Sequence, residues 1–303
     1  MICRVFTLAL LTFYPVIAGT QIGANLSVAN ADQRKRIGWN STMPLQFVPL
    51  VIRGDGWKQQ IIIQNTDPNS DSNLILAFFR LDGTSWKIGL RLRGLNAQSG
   101  FRDETITDSV FSVWMIRDKG QIILEIPESF GPQELGMALV SRSDAAGCDS
   151  SKTPVRCPGE FFGQSVFRKR TLGDPDLMTT MPFSAPTNKT ISVFYDNEEA
   201  KYPGIGILAV DVGDLTSIKL IPITVRIVTA DGTIDKVVQR SVPNGGLIWF
   251  SLVLDFPETI GKLGRINIGA NNPNVLISGM SLQFAPNRAF TAISTFEGQG
   301  MNP

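Results

Sequence analysis

Histidine is absent from the 303 residues. Its absence excludes nucleophilic sites built on Ser-His or Cys-His pairs and removes the commonest side-chain ligand of transition metals. Cysteine is scarce, with Cys3, Cys148 and Cys157 the only three. Charge of one sign is missing too: 28 basic residues stand against 27 acidic ones, and Arg4 lies in an N-terminal segment that reads as removable. Such a balance supplies no concentrated positive field for nucleic acid. The two dense basic runs, Gln33–Arg36 and Arg168–Arg170, read as solvated segments. Long apolar runs are also lacking, because Val5–Ile17 has 13 residues and a membrane-spanning helix needs about 20.

That run follows a short basic start, Met1–Arg4, and ends at Val16-Ile17-Ala18, the small-x-small form of a cleavage site. Residues 1–18 therefore read as a secretory signal, with an uncleaved N-terminal anchor as the alternative. The expected location is secreted or extracellular, with periplasm and cell surface included. Outside the cytoplasm, Cys148 and Cys157 read as one disulfide closing a small loop, a staple contributing about 2 to 3 kcal/mol. Residues 19–45 are polar and irregular and read as a flexible leader, and residues 299–303 as a polar tail.

What is present is apolar surface in short pieces. Hydrophobic residues make up 43% of the chain and charged ones 18%, which suits a packed globular protein. Turn residues punctuate runs rich in Val, Ile, Leu and Phe, and long amphipathic helix patterns are missing, so the fold class is all-β.

The chain also repeats itself. Leu74-Ile-Leu-Ala-Phe-Phe-Arg-Leu-Asp-Gly-Thr84 is echoed by Ile223-Thr-Val-Arg-Ile-Val-Thr-Ala-Asp-Gly-Thr233. Leu74, Leu76 and Phe78 occupy the places of Ile223, Val225 and Ile227, and alternate residues of a strand share one face, so each triplet reads as the core side of a strand entering an Asp-Gly turn. Trp86–Leu92 and Ile234–Val242 are expected to return as partner strands. Trp57 and Gly206 precede their Asp-Gly pairs by equal distances. Glu134-Leu-Gly answers Lys262-Leu-Gly, and Gly163-Gln-Ser answers Gly279-Met-Ser. The interval from Gly136 to Gly163 exceeds that from Gly264 to Gly279 by 12 residues, and the cysteine pair lies inside it. The chain is thus expected to be two tandem β-sandwich domains of similar topology, 46–187 and 188–298, the first carrying a stapled insertion.

Phe47-Val-Pro-Leu, Gly56-Trp-x-x-x-Ile-x-Ile-x-Asn65, Phe78-Phe-x-x-Asp-Gly83, Tyr195-Asp-Asn before Gly204-Ile-Gly-Ile, Phe256-Pro-x-Thr-x-Gly-Lys262, Gly279-Met-Ser-Leu-Gln-Phe284 and Phe290-Thr-Ala-Ile293 occur in that order. In this the chain resembles the paired β-sandwich proteins exported by soil bacteria, notably acidobacteria. The resemblance covers about residues 45 to 296 and implies export and a tandem β fold. It carries no activity and no functional residue, and the polar leader and the stapled loop depart from its pattern.

Chemistry has few places to reside. Asp103 with Glu104, Asp174 with Asp176 and Glu198 with Glu199 are the carboxylate pairs open to a carbohydrate-active hydrolase, and all read as polar turns. Asp67, Asn69, Asp71 and Asn73 put oxygen-bearing side chains at every second residue, a spacing suited to calcium. Ser72 and Phe78 stand where a helix-loop-helix calcium site needs Gly and Glu, so a plain hairpin loop is the simpler reading. Among aromatic residues, Trp114 and Trp249 sit in apolar runs and read as core. Trp86, with Ser85 and Lys87 beside it, reads as exposed, and Trp57 joins it as a candidate for stacking on sugar rings. Tyr195 and Asp196 form a second polar-aromatic cluster at the junction of the halves, where they bind ligand or clamp the sandwiches. The function expected is an exported, non-enzymatic binding or structural module, with surface polysaccharide or other envelope components as partners.

Overall fold

A computed structural model describes residues 25–29, 45–66, 72–93, 105–116, 120–142, 161–170, 177–198, 202–211, 214, 217, 219–284, 290–294 and 296–297. The first half contributes β1 (Asn25–Val28), β2 (Leu45–Arg53), β3 (Trp57–Asn65), β4 (Ser72–Arg80), β5 (Ile88–Arg93), β6 (Ile106–Asp108), β7 (Val110–Ile116), β8 (Gln121–Ser129), β9 (Glu134–Arg142), β10 (Phe161–Lys169) and β11 (Leu177–Pro182). The second contributes β12 (Ile191–Asp196), β13 (Tyr202–Asp211), β14 (Leu220–Thr229), β15 (Asp235–Pro243), β16 (Gly246–Ser251), a short helix α1 (Leu252–Asp255), β17 (Leu263–Gly269), β18 (Val275–Phe284), β19 (Phe290–Ser294) and β20 (Phe296–Glu297). The fold is all-β.

Four antiparallel sheets form. Sheet I runs β1-β7-β4-β9-β2 and sheet II β11-β10-β3-β8-β5-β6; sheet III runs β16-β13-β18-β19 and sheet IV β15-β14-β17-β12-β20. Alternation decides which side chains meet. Val48, Ile61, Leu76, Phe111, Leu124 and Val140 close a core between sheets I and II. Val193, Ile207, Val225, Ile266 and Ile277 close another between sheets III and IV.

The two halves share a strand order. In sheet I the run β7-β4-β9-β2 matches β15-β14-β17-β12 in sheet IV, and in sheet II β11-β10-β3-β8 matches β19-β18-β13-β16 in sheet III. Leu76 and Val225 both lie wholly buried on the matched strands β4 and β14. The equal-spacing register for β3 does not hold: with Gly163 set against Gly279, the ladders pair Gly163 with Ile63 and Gly279 with Ile207, so Trp57 and Gly206 are not counterparts.

Both Asp-Gly turns are built alike. Asp82 Oδ1 accepts from the Thr84 N–H at 2.9 Å and hydroxyl at 2.6 Å, and Asp231 Oδ1 accepts from the Thr233 N–H at 3.0 Å and hydroxyl at 2.8 Å. Gly83 and Gly232 follow with φ of 83° and 68°, values that favour glycine. Beyond the turns the halves part. β15 returns beside β14 as expected, but β5 does not return beside β4. It crosses to sheet II and pairs with β8, while β7 takes the place beside β4. The crossing follows from Trp86, whose backbone N–H still donates to the Phe78 carbonyl at 2.9 Å while its ring enters the core.

The leader is also structured in part. Residues 25–28 form β1, which pairs with β7 and buries Leu26, so these residues close an edge of sheet I rather than forming a flexible segment. The signal segment, the tail and the Cys148–Cys157 loop lie outside the described residues.

A third apolar cluster joins the halves. Phe47, Leu50 and Ile52 of β2 with Met137 and Leu139 of β9 meet Leu208 and Val210 of β13, Leu247 of β16, and Met280 and Leu282 of β18. A register shift between Val48 and Val51 lets β2 send Val48 and Val51 to one core and Leu50 and Ile52 to the other. The seam has polar ties as well: the Leu247 N–H donates to the Leu81 carbonyl at 3.0 Å, and the Ser184 and Ser278 hydroxyls lie 2.5 Å apart. A side chain at Gly83 would collide with the Asn244 backbone, so glycine is needed there for close approach as well as for φ.

Candidate functional site

Of the four non-metal candidates read from the sequence, three are interior. Trp86 is 0% exposed. Its ring lies against Gly136, where any Cβ would overlap it, and Arg53 and Arg80 stand 6.0 and 5.7 Å from its centroid. Both arginines pair with Glu134. Burial pushes the Glu134 carboxyl up, but the hydrogen bonds and charges of Arg80 and Arg53 outweigh it and hold the group below its ordinary value. Trp86 is thus core roofed by an ion-pair cluster, not an exposed stacking surface, because polar neighbours in sequence do not set the direction of a side chain whose ring finds room against a glycine of another strand.

Trp57 is buried at the seam, with Lys169 Nζ 5.5 Å from its ring centroid. Tyr195 is buried within the second sandwich rather than at the junction and clamps nothing across the halves. It lies against Gly264 much as Trp86 lies against Gly136. Burial, aided by the Asp231 charge, pushes its hydroxyl up to about 12. Asp196 reaches the surface, where its Oδ1 accepts from the Glu198 N–H at 3.0 Å, and it lines a groove that runs along sheet IV and extends to Gln283 of sheet III.

The metal reading receives little from the described residues. Asp67, Asn69 and Asp71 lie outside them, and Asn73 stands within β4 rather than in a loop. No group of three or more acidic or thiol side chains suited to a metal occurs among the described residues. Of the carboxylate pairs, only Glu198 is described. One groove of about 560 Å³ does bring Glu128 and Glu134 together. Glu134 is shifted in the wrong direction for a general acid, which must keep its proton near neutral pH.

Among the tryptophans whose burial is described, the one that reaches solvent is Trp249, 39% exposed, where the sequence suggested core. Register explains it. On β16, Leu247 and Trp249 face outward while Ile248 and Phe250 face inward, and β16 pairs with β13 so that Trp249 stands opposite Gly206 and Ser251 opposite Gly204. A Cβ on Gly204 would overlap the ring, and one on Gly206 would stand 3.0 Å from it and 2.8 Å from the Met280 methyl. The indole therefore rests on a floor of two glycines, one side against backbone and flanked by Met280 of the seam. A large flat apolar surface with a polar N–H, held by packing, is suited to stacking on a sugar ring.

Sequence reasoning missed a supporting network too. Asn197 Nδ2 donates to Thr259 Oγ1 at 2.9 Å, and that hydroxyl donates to the Phe256 carbonyl at 2.7 Å. Lys262 Nζ reaches Asp231 Oδ2 at 2.6 Å and Thr233 Oγ1 at 2.7 Å. The Phe256–Lys262 motif thereby ties the end of β12 to the second Asp-Gly turn, and the Lys262 bond holds the Asp231 carboxyl well below the usual range. Compared with known proteins, the chain matches no protein-family model and no curated protein.

Proposed function

We propose that this protein is an exported, non-enzymatic binding module of the cell surface or surrounding matrix, which takes surface polysaccharide on the Trp249 platform. The observation that carries this reading is an indole 39% exposed above the glycine pair Gly204 and Gly206. Support for export comes from the signal-like residues 1–18, and no described helix is long and apolar enough to cross a membrane. The resemblance to exported paired β-sandwich proteins of soil bacteria agrees with the strand order common to the two halves, and we take 46–187 and 188–298 to be copies of one ancestral module. A Cys148–Cys157 disulfide pins the first copy's insertion in this reading.

Retention on a glycan array and on immobilised envelope polysaccharide, wild type against Trp249→Ala, tests the function. Loss of one stacked aromatic contact, about 0.5–1.5 kcal/mol, is expected to weaken retention by up to about tenfold, with cooperative melting preserved. Equal retention by the folded variant, or no retention of the wild type on any glycan, overturns the reading.

A further inference from the structure

We propose that the outer face of sheet IV is a self-association surface, which takes a second copy of this chain across a two-fold axis. The inference stands apart from the glycan reading. In the first half the matched face is closed, since β2 and β9 bury Phe47, Leu50, Ile52, Met137 and Leu139 under the second half. Among the described residues, the corresponding strands β12, β17 and β14 keep exposed side chains on the matching face. A groove of about 730 Å³ lies over them, lined by Phe194, Asp196, Val228, Ala230, Leu263 and Arg265 among others. Phe194 is 55% exposed and Leu263 43%, large apolar surface for a groove floor.

The arrangement of four of these residues selects the occupant. Phe194 of β12 stands opposite Arg265 of β17, and Asp196 opposite Leu263. Residues two apart share a strand face, so the four mark the corners of a rectangle, with the apolar pair on one diagonal and opposite charges on the other. A two-fold axis lying in the face along the apolar diagonal sets Phe194 on Phe194, Leu263 on Leu263, and each Arg265 over the Asp196 of the other copy. An axis along the charged diagonal would set Arg265 on Arg265 and Asp196 on Asp196, which like-charge repulsion disfavours. The face is therefore self-complementary in one orientation, as an isologous contact requires. Asp196 is held for that role by the Glu198 N–H.

Sedimentation velocity of the exported chain over a range of micromolar concentrations reads the outcome. A dimer is expected. R265D and D196R are each expected to raise its dissociation constant by about tenfold or more, and an equimolar mixture of the two variants is expected to restore it, because each swapped charge then faces its opposite. Phe194→Asp serves as a second variant at an exposed position should D196R fail to fold, with the same loss expected. A wild type monomeric throughout, a dimer indifferent to R265D and Phe194→Asp, or folded charge-swapped variants that do not recover on mixing each overturn the proposal.

Discussion

At the residue scale, two tryptophans exchange the roles their neighbours in sequence suggest. Trp86 lies between Ser85 and Lys87 yet is fully buried, and Trp249 lies in an apolar run yet meets solvent. The cause is the residue across the ladder or beneath the ring: Gly136 admits the Trp86 ring into the core, whereas Gly204 and Gly206 seat the Trp249 ring on an outer face. Trp86→Ala is therefore expected to cost about 3–5 kcal/mol of stability, read by equilibrium denaturation, while leaving polysaccharide retention by the folded fraction unchanged. Lost retention at preserved stability would place the ligand at Trp86 instead. The glycines themselves were legible, since Gly204-Ile-Gly-Ile and the two Leu-Gly pairs stand out in the sequence. Which aromatic ring each serves was not, because β-register is set between distant segments and leaves no local mark.

At the scale of elements, matching strands were readable wherever alternation and a turn coincided. β4 and β14 with their Asp-Gly-Thr turns are the clearest case, because a period of two and an Asp side chain capping a Thr N–H are both written locally. The partner of β4 was not readable. β5 begins to return as β15 does, then follows Trp86 into the other sheet, and β7, from beyond β6, fills the vacated place. β1 was missed for a related reason: four residues with a single buried leucine make no periodic signal, and only the edge of β7 gives them a partner. A chain beginning after residue 29 is expected to melt lower, since Leu26 leaves the core and burying a leucine contributes about 1.5–3 kcal/mol. A melting temperature equal to that of the chain from residue 19 would show that β1 contributes nothing.

At the scale of the molecule, the two halves form one body. The seam buries Leu208 and Val210 against the outer face of sheet I, the Leu247 N–H bonds across it, and Met280 of that same seam flanks Trp249. The aromatic platform thus sits beside a joint, and its rigidity depends on the joint being closed. Two sandwiches were legible from the repeat; their shared core was not, because alternation shows that a strand buries both faces without showing what covers the second. The most direct test is hydrogen exchange across a denaturant series, followed on peptides from β4 and β14 in the wild type and in Leu208→Asp, which places a charge in the seam. If the halves are one cooperative body, both peptides lose protection at a common midpoint, and Leu208→Asp moves the two midpoints down together by an amount on the order of 3 kcal/mol or more. Separate midpoints in the wild type, with only the β14 peptide shifted by Leu208→Asp, would contradict it.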